Sequence, residues 1–302
     1  MKIAYIDKRF TKNSLAIIAC ANQIIEEYAS QGYVLTLRQL YYQFVARDLI
    51  PNRQSEYKRL GSVVADGRLA GLIDWNAIED RGRNTHSPTT WTNPLSIIDA
   101  CAQQYKLDLW VDQEYRPEVW IEKEALLSIA QAACEPHRVP FFACKGYVSQ
   151  SAMWDAGARR LASHFNNGQT PVIIHLGDHD PSGLDMTRDI FERLDMFAGE
   201  SVNIRRIALN FDQIQQYQPP PNPAKMTDSR FNGYADKYGT ESWELDALSP
   251  GILVKMIQSE ILSYRDKDKW DALAEQEKHE RETLLAIANN YDLVAETVEQ
   301  EM

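Results

Sequence analysis

Between residues 117 and 210 the chain alternates short apolar runs with longer amphipathic ones. "EVWIE" precedes "KEALLSIAQAAC", "VPFFACKGY" precedes "SQSAMWDAGARRLASHF", "PVIIHLGD" precedes "GLDMTRDIFERLDMF", and "VNIRRIAL" closes the series. Strands separated by helices join side by side through crossovers, so the pattern predicts an α/β fold with a parallel sheet covered on both faces. At 44% hydrophobic and 25% charged, the chain reads as an ordinary soluble globular protein.

The first third has a different period. Residues 12–31 carry Leu15, Ile18, Ile24, Ile25 and Tyr28 at helical spacing, and Gly32 ends that segment. Thr36 stands as an N-cap before "LRQLYYQFVARDLI", which Pro51 stops. A third helical stretch, "SEYKRLGSVVADGRLAGLI", opens at Ser55. Three short helices with tight connections predict a helix-turn-helix variant. Residues 84–116, with "NTHSPTTWTNP", are expected to form a wing and linker, which divides the chain into domains 1–116 and 117–302. "QPPPNPA" (218–224) should be an extended loop, and an acidic helical extension follows.

The net charge of -11 argues at first against a nucleic-acid partner. Its distribution weakens that objection. Residues 266–302 hold eleven Asp and Glu against four Lys and Arg, whereas residues 38–83 hold eight Arg and Lys against six Asp and Glu. The first third is thus free to present a basic face. No apolar run approaches a membrane span, and "MKIAYIDKRFTKN" does not read as a signal peptide. Cys20, Cys101, Cys134 and Cys144 are scattered without a CxxC pair, which fits a reducing cytoplasm.

Open parallel sheets bind ligands at the carboxyl ends of their strands. Glu122 closes one strand, and Asp178 closes another with Asp180 on the turn after it. Three hard oxygen ligands in one crevice suit Mg²⁺, which in turn suits phosphoryl transfer. The rival reading is that an aspartate at a strand end simply caps the next helix. His175 and His179 are expected in the core or behind the ligands rather than on a transition metal.

"VWIEKEALLSIA" and "VIIHLGDHDPSGLDM" resemble the glutamate and DxD motifs of a Toprim domain. Their pattern, Glu122-Lys123 and Asp178-His179-Asp180-Pro181-Ser182-Gly183, is similar to that of the topoisomerase VI A subunit and the meiotic DNA double-strand-break transesterases. "TLRQLYY" resembles that family's tyrosine segment on a winged-helix domain, with Tyr42 as the counterpart of the nucleophile. The likeness covers residues 36–210, and "WELDAL" extends it to 248. It implies a winged-helix-like domain followed by a Rossmann-like Toprim domain, Mg²⁺ on Glu122, Asp178 and Asp180, and a homodimer in which one protomer's tyrosine faces its partner's metal site. It also implies a separate ATPase subunit, against which the short segment before Tyr42 argues. His179 replaces the family's usual glycine.

On this reading Tyr42 attacks a backbone phosphate of double-stranded DNA and forms a phosphotyrosyl link. Arg38, one helical turn earlier, holds the phosphate, and Glu122 acts as ligand or general acid/base. Arg47, Arg53, Lys58, Arg59 and Lys123 contact the duplex. Tyr41 and Tyr42 point about 100° apart on a helix, so one ring is expected to pack and the other to be exposed. The rivals are a metal-dependent nuclease with a structural Tyr42, a small-molecule phosphatase or phosphotransferase, and a non-catalytic DNA-binding regulator.

Overall fold

The computed structural model describes residues 1–79 and 90–301. Helix α1 (Lys12–Ala29) starts where the Thr11 hydroxyl accepts the Ser14 amide, and it buries Ile17, Ile18, Ala21, Ile24 and Tyr28. A two-residue strand, β1 (Leu35–Thr36), leads into α2 (Leu37–Ala46). Thr36 caps α2 as expected. Its side chain accepts the Gln39 amide, and the Gln39 side chain returns to the Thr36 amide at 2.8 Å. Helix α3 (Gln54–Leu69) begins one residue before Ser55, with Arg53 at the N-cap. Leu40, Phe44, Leu60, Val64 and Ile73 fill the space between these helices. Strand β2 (Ile78–Glu79) pairs parallel with β1.

The expected wing falls partly on residues 84–89, which lie outside the described residues. The rest of that segment is not merely linker. Asn93 accepts the Ser96 amide at 2.8 Å and Pro94 takes the first helical position, which starts α4 (Pro94–Gln104). Helix α4 packs against a helix near the C-terminus, and Leu109 and Trp110 join the core beneath the sheet.

The sheet is as read. Strands β3 (Tyr115–Ile121), β4 (Phe141–Ala143), β5 (Thr170–Leu176) and β6 (Asn203–Ala208) lie in the order β4-β3-β5-β6, all parallel. Helix α5 (Leu127–Cys134) follows β3. Between β4 and β5 runs one helical stretch made of α6 (Gln150–Trp154), a π-helical segment (Asp155–Leu161) and α7 (Ala162–Asn166). Helix α8 (Pro181–Ala198) follows β5. Strand period two sorts the side chains: Val119, Ile121, Val172, Ile174 and Leu176 face α5, while Trp120 and Ile173 face α6 and α8.

On that second face Glu118 is buried at the middle of β3. It is held by Arg160 Nε and Nη2, each at 3.0 Å, and by the Trp120 indole at 3.1 Å. Arg160 belongs to the π-helical segment, so the widened turn supplies the cation that this carboxylate requires.

After β6 come α9 (Phe211–Tyr217), β7 (Asn222–Pro223), α10 (Phe231–Tyr238) and β8 (Glu241–Ser242). The proline-rich segment is therefore not all loop, because β7 pairs antiparallel with β8. Helices α11 (Pro250–Ser263), α12 (Lys267–Asn289) and α13 (Tyr291–Glu301) complete the chain, and α12 is the partner of α4. No described helix is long and apolar enough to cross a membrane.

Candidate functional site

The carboxyl ends of β3 and β5 carry the acid groups. The β5 chain leaves the sheet at Gly177, and α8 begins at Pro181, so Asp178, His179 and Asp180 occupy a very short turn. Asp180 is the N-cap of α8: its Oδ1 accepts the Gly183 amide at 2.6 Å and the Ser182 hydroxyl at 2.9 Å. Pro181 has no amide proton to leave unsatisfied there. A Cβ at Gly183 would overlap the Asp178 carbonyl, which explains the glycine. The DxDPSG stretch is thus accounted for by helix capping, with one Asp180 oxygen left over.

Arg206, on β6, holds the turn from below. It donates to the carbonyls of Gly177 (2.9 Å), Asp178 (2.7 Å), Gly183 (3.0 Å) and Leu209 (3.2 Å), and to the Thr187 hydroxyl (2.9 Å). Burial lowers its pKa to about 10 despite the surrounding carboxylates. Reading the sequence did not single it out, because an arginine in "VNIRRIAL" looks like an edge residue. His179 turns its ring into a box of Phe211, Tyr234, Tyr238 and Trp243, with Nδ1 at 2.9 Å from the Tyr234 hydroxyl. Burial and the nearby Arg206 charge lower its pKa to about 4, so it is neutral and positions the turn. His175 is wholly buried with Nδ1 at 2.9 Å from Thr187 Oγ1.

Glu122 reaches across from β3, and its Oε2 accepts the Asp178 amide at 2.7 Å. Burial raises its pKa, opposed by that amide, and the Asp180 charge adds to the rise. Asp178 is pushed up to about 7 by burial, against the pull of Lys123. Both Asp178 oxygens are engaged: Oδ1 accepts the Leu245 amide at 2.7 Å and Oδ2 sits 2.9 Å from Lys123 Nζ.

The segment after β8 had drawn notice only as part of a likeness, yet it completes the site. Trp243 pairs its backbone with His179, amide to carbonyl in both directions, at 2.8 and 3.0 Å. That pairing delivers Glu244 and Asp246 to two cations. Lys123 Nζ lies 2.8 Å from Glu244 Oε2 and 3.0 Å from Asp246 Oδ1, so with Asp178 all three of its protons have acceptors. Arg38, on α2, pairs with the same Glu244 Oε2 and places Nε 2.9 Å from Asp246 Oδ2. Burial alone would lower the pKa of both cations, and the carboxylates outweigh it and raise them. The same cations outweigh burial at Glu244 and lower it to about 2.

Tyr42 lies one turn from Arg38, with the guanidinium carbon 5.8 Å from its ring centre. Contrary to expectation, both tyrosines of the pair are buried, each at 4% exposure. Interhelical packing encloses both faces of α2: Tyr41 meets Tyr57 on α3, and its hydroxyl accepts the Arg53 amide at 2.8 Å. Burial, followed by the Asp246 and Glu244 charges, raises the Tyr42 pKa well above the usual phenol value. A cavity of about 280 Å³ opens on Tyr42, Tyr41, Tyr57, Asn52, Asn222 and Glu244.

The other basic residues are dispersed around this cavity's helices. Arg53 and Lys58 are exposed, Arg47 pairs with Glu27 at 2.9 Å, and Arg59 pairs with Glu56 at 2.6 Å.

Among the described residues, no three His, Cys, Asp or Glu side chains stand together as a ready metal cage. The reason is visible in the donors. Asp178 spends both oxygens on Lys123 and Leu245, whereas Glu122 and Asp180 each keep one oxygen and repel one another. Glu122 and Asp180 fit a hard cation that needs only one or two protein carboxylates, and Asp178 fits only once Lys123 lets go. Comparison with protein-family models, with curated proteins and with solved structures gave no match. The fold and site define an α/β protein with an acidic crevice at the sheet's carboxyl edge, joined through a strap of acidic residues to a buried tyrosine.

Proposed function

We propose that the chain is a Mg²⁺-dependent DNA-cleaving transesterase similar to the topoisomerase VI A subunit, with a winged-helix-like N-terminal domain and a Toprim domain. The single observation that carries this reading is the link between two sequence motifs far apart in the chain. Arg38, beside Tyr42, and Lys123, beside Glu122, share one Glu244 oxygen.

In this mechanism the Tyr42 oxygen bonds to the scissile phosphorus, and the bond from phosphorus to the sugar oxygen breaks. Arg38 and Lys123 hold the non-bridging phosphate oxygens. The Tyr42 proton passes to a carboxylate of the strap, because the phenol's raised pKa demands a base. Glu122, which burial disposes to keep a proton, gives that proton to the leaving sugar oxygen and becomes a carboxylate free to join the metal. Mg²⁺ held by Glu122 and Asp180 would supply charge neutralisation at the phosphate. Arg47, Arg53, Lys58 and Arg59 contact neighbouring phosphates.

The family likeness implies a site shared between two protomers. Here the Arg38–Glu244–Lys123 link lies within one chain, which favours a site completed in cis, one per protomer of a homodimer. Mixing Tyr42→Phe with Glu122→Ala protein should then restore no cleavage, even with demonstrated subunit exchange. Recovered cleavage would establish the shared site instead.

A second reading, a metal-dependent nuclease with a structural Tyr42, is favoured by that residue's burial. Incubation with supercoiled DNA and Mg²⁺, then denaturation with and without protease, separates the two. Linear or nicked DNA that enters a gel only after protease treatment supports the transesterase. Cleaved DNA free of protein supports the nuclease, and intact DNA under all metals tested would remove both.

A further inference from the structure

Glu244 differs from the other acids of the site in one respect. A single oxygen, Oε2, bridges two cations from distant parts of the chain, Arg38 Nη2 and Lys123 Nζ. That is how one oxygen of a phosphodiester is held by a pair of basic side chains. We propose that Arg38 and Lys123 form one phosphodiester-binding subsite, and that the Glu244 carboxylate is its resident occupant, displaced when a nucleic-acid strand binds.

The neighbouring groups assign different roles to the two strap acids. Asp246 is fully buried, with its side chain at 0% exposure, and it holds Lys123 through Oδ1 and Arg38 through Oδ2. It is the fixed counter-ion that keeps the two cations together. Glu244 is 24% exposed and lines the cavity that also reaches Tyr42. Arg38 lines the same cavity and is 44% exposed, so an entering ligand meets Arg38 and Glu244 together, with Lys123 behind them.

The strap backbone does not have to move. Trp243 is paired with His179, and the Leu245 amide is bonded to Asp178 Oδ1. Only the Glu244 side chain swings, and Asn222 Nδ2, 3.4 Å from Oε1, can follow it. Exchanging a carboxylate for a phosphodiester also leaves the subsite's charge unchanged, so no cation is left bare at any stage. The cost to the ligand is competition with a tethered rival at high effective concentration.

That the ligand is a DNA strand rests on the transesterase reading; the anion subsite does not. The test therefore uses two probes with the full-length protein: a fluorescent short DNA duplex followed by anisotropy, and inorganic phosphate followed by ³¹P NMR. Glu244→Gln keeps the shape and removes the charge. Glu241→Gln, on the exposed end of the same strap, is the charge-matched control.

Glu244→Gln should bind both probes about tenfold more tightly than wild type, a gain of about 1.4 kcal/mol, while Glu241→Gln should match wild type. Adding Arg38→Gln to Glu244→Gln should abolish the gain. A gain for phosphate without any duplex binding would keep the subsite and remove the DNA reading. Binding of both probes within twofold of wild type, an equal gain in Glu241→Gln, or no binding by any variant would overturn the subsite. Should Glu244→Gln melt early, Glu244→Ala is read against the same outcomes.

Discussion

The two adjacent tyrosines separate stability from chemistry. The Tyr41 hydroxyl accepts the Arg53 amide and donates to Asn52, so it ties α2 to the start of α3. Tyr41→Phe leaves that amide unsatisfied and should cost about 1–3 kcal/mol in urea unfolding, with DNA cleavage retained. Tyr42→Phe keeps the packed ring and should cost less than about 1 kcal/mol, while the covalent adduct expected of the proposed transesterase should disappear. The reverse pattern would exchange their roles. His175 offers a second test at this scale. Burial lowers its pKa to about 3, so between there and about 6.5 the unfolded chain binds a proton that the folded one refuses. Its contribution to stability is therefore lost progressively as pH falls below about 6.5, by up to about 1.4 kcal/mol per pH unit. Asp178, held near 7, acts in the opposite sense, because the folded state keeps its proton where the unfolded state has lost it. The measurement is thus the difference in unfolding free energy between wild type and His175→Gln. It should shrink as the solution is acidified from pH 7 to 5, and a constant difference would contradict a neutral buried imidazole.

Among the elements, the sheet was legible because short apolar runs alternating with longer amphipathic stretches leave few arrangements other than a covered parallel sheet. Thr36 was legible for a related reason, since the cap and its Gln39 partner are local. The π-helical segment left no comparable signal. Gly157 looks like a helix weakener in "WDAGARRL", yet a Cβ there would come within 2.7 Å of the Phe197 Cβ on α8. Gly157→Ala should therefore cost about 1–3 kcal/mol by overpacking, read from a lowered urea midpoint. A stabilised protein would mean that the interhelical contact yields easily. Helix α4 escaped notice because proline and polar residues precede it, although Asn93-Pro94 is itself a start signal. The strap escaped because two-residue strands have no period to read. Glu244 and Asp246 acquire meaning only through Arg38 and Lys123, which are far away in sequence.

For the molecule as a whole, a buried carboxylate helps to fasten α12 to the rest of the chain. Glu277 on α12 accepts the Leu107 amide at 2.7 Å and pairs with Arg138 and Arg281. Hydrogen bonding from Arg138 lowers its pKa to about 2. The stability it supplies is complete above about 4.5 and is lost as pH falls through about 2. Glu277→Gln should cost about 2–3 kcal/mol at neutral pH, because it leaves two arginines short of their counter-charge. Hydrogen exchange should speed up together in α4 and α12, which pack on one another. Faster exchange confined to α12 would show that α4 is anchored elsewhere. The acidic helical extension read in the sequence is, at Glu277, part of the core.

The strap also imposes an order of events on synthesis. The Arg38–Glu244 contact spans 206 residues and the Lys123–Glu244 contact 121. A nascent chain emerges from its N-terminal end, so the tyrosine helix and most of the sheet can fold before residue 244 is translated. Until then Arg38 and Lys123 have no common anchor, and the two halves of the site are not yet registered against each other. Registration of the two halves is thus a late event, completed only when the strap is in place. A chain that ends before the strap carries the tyrosine and the acidic crevice without the clasp that joins them.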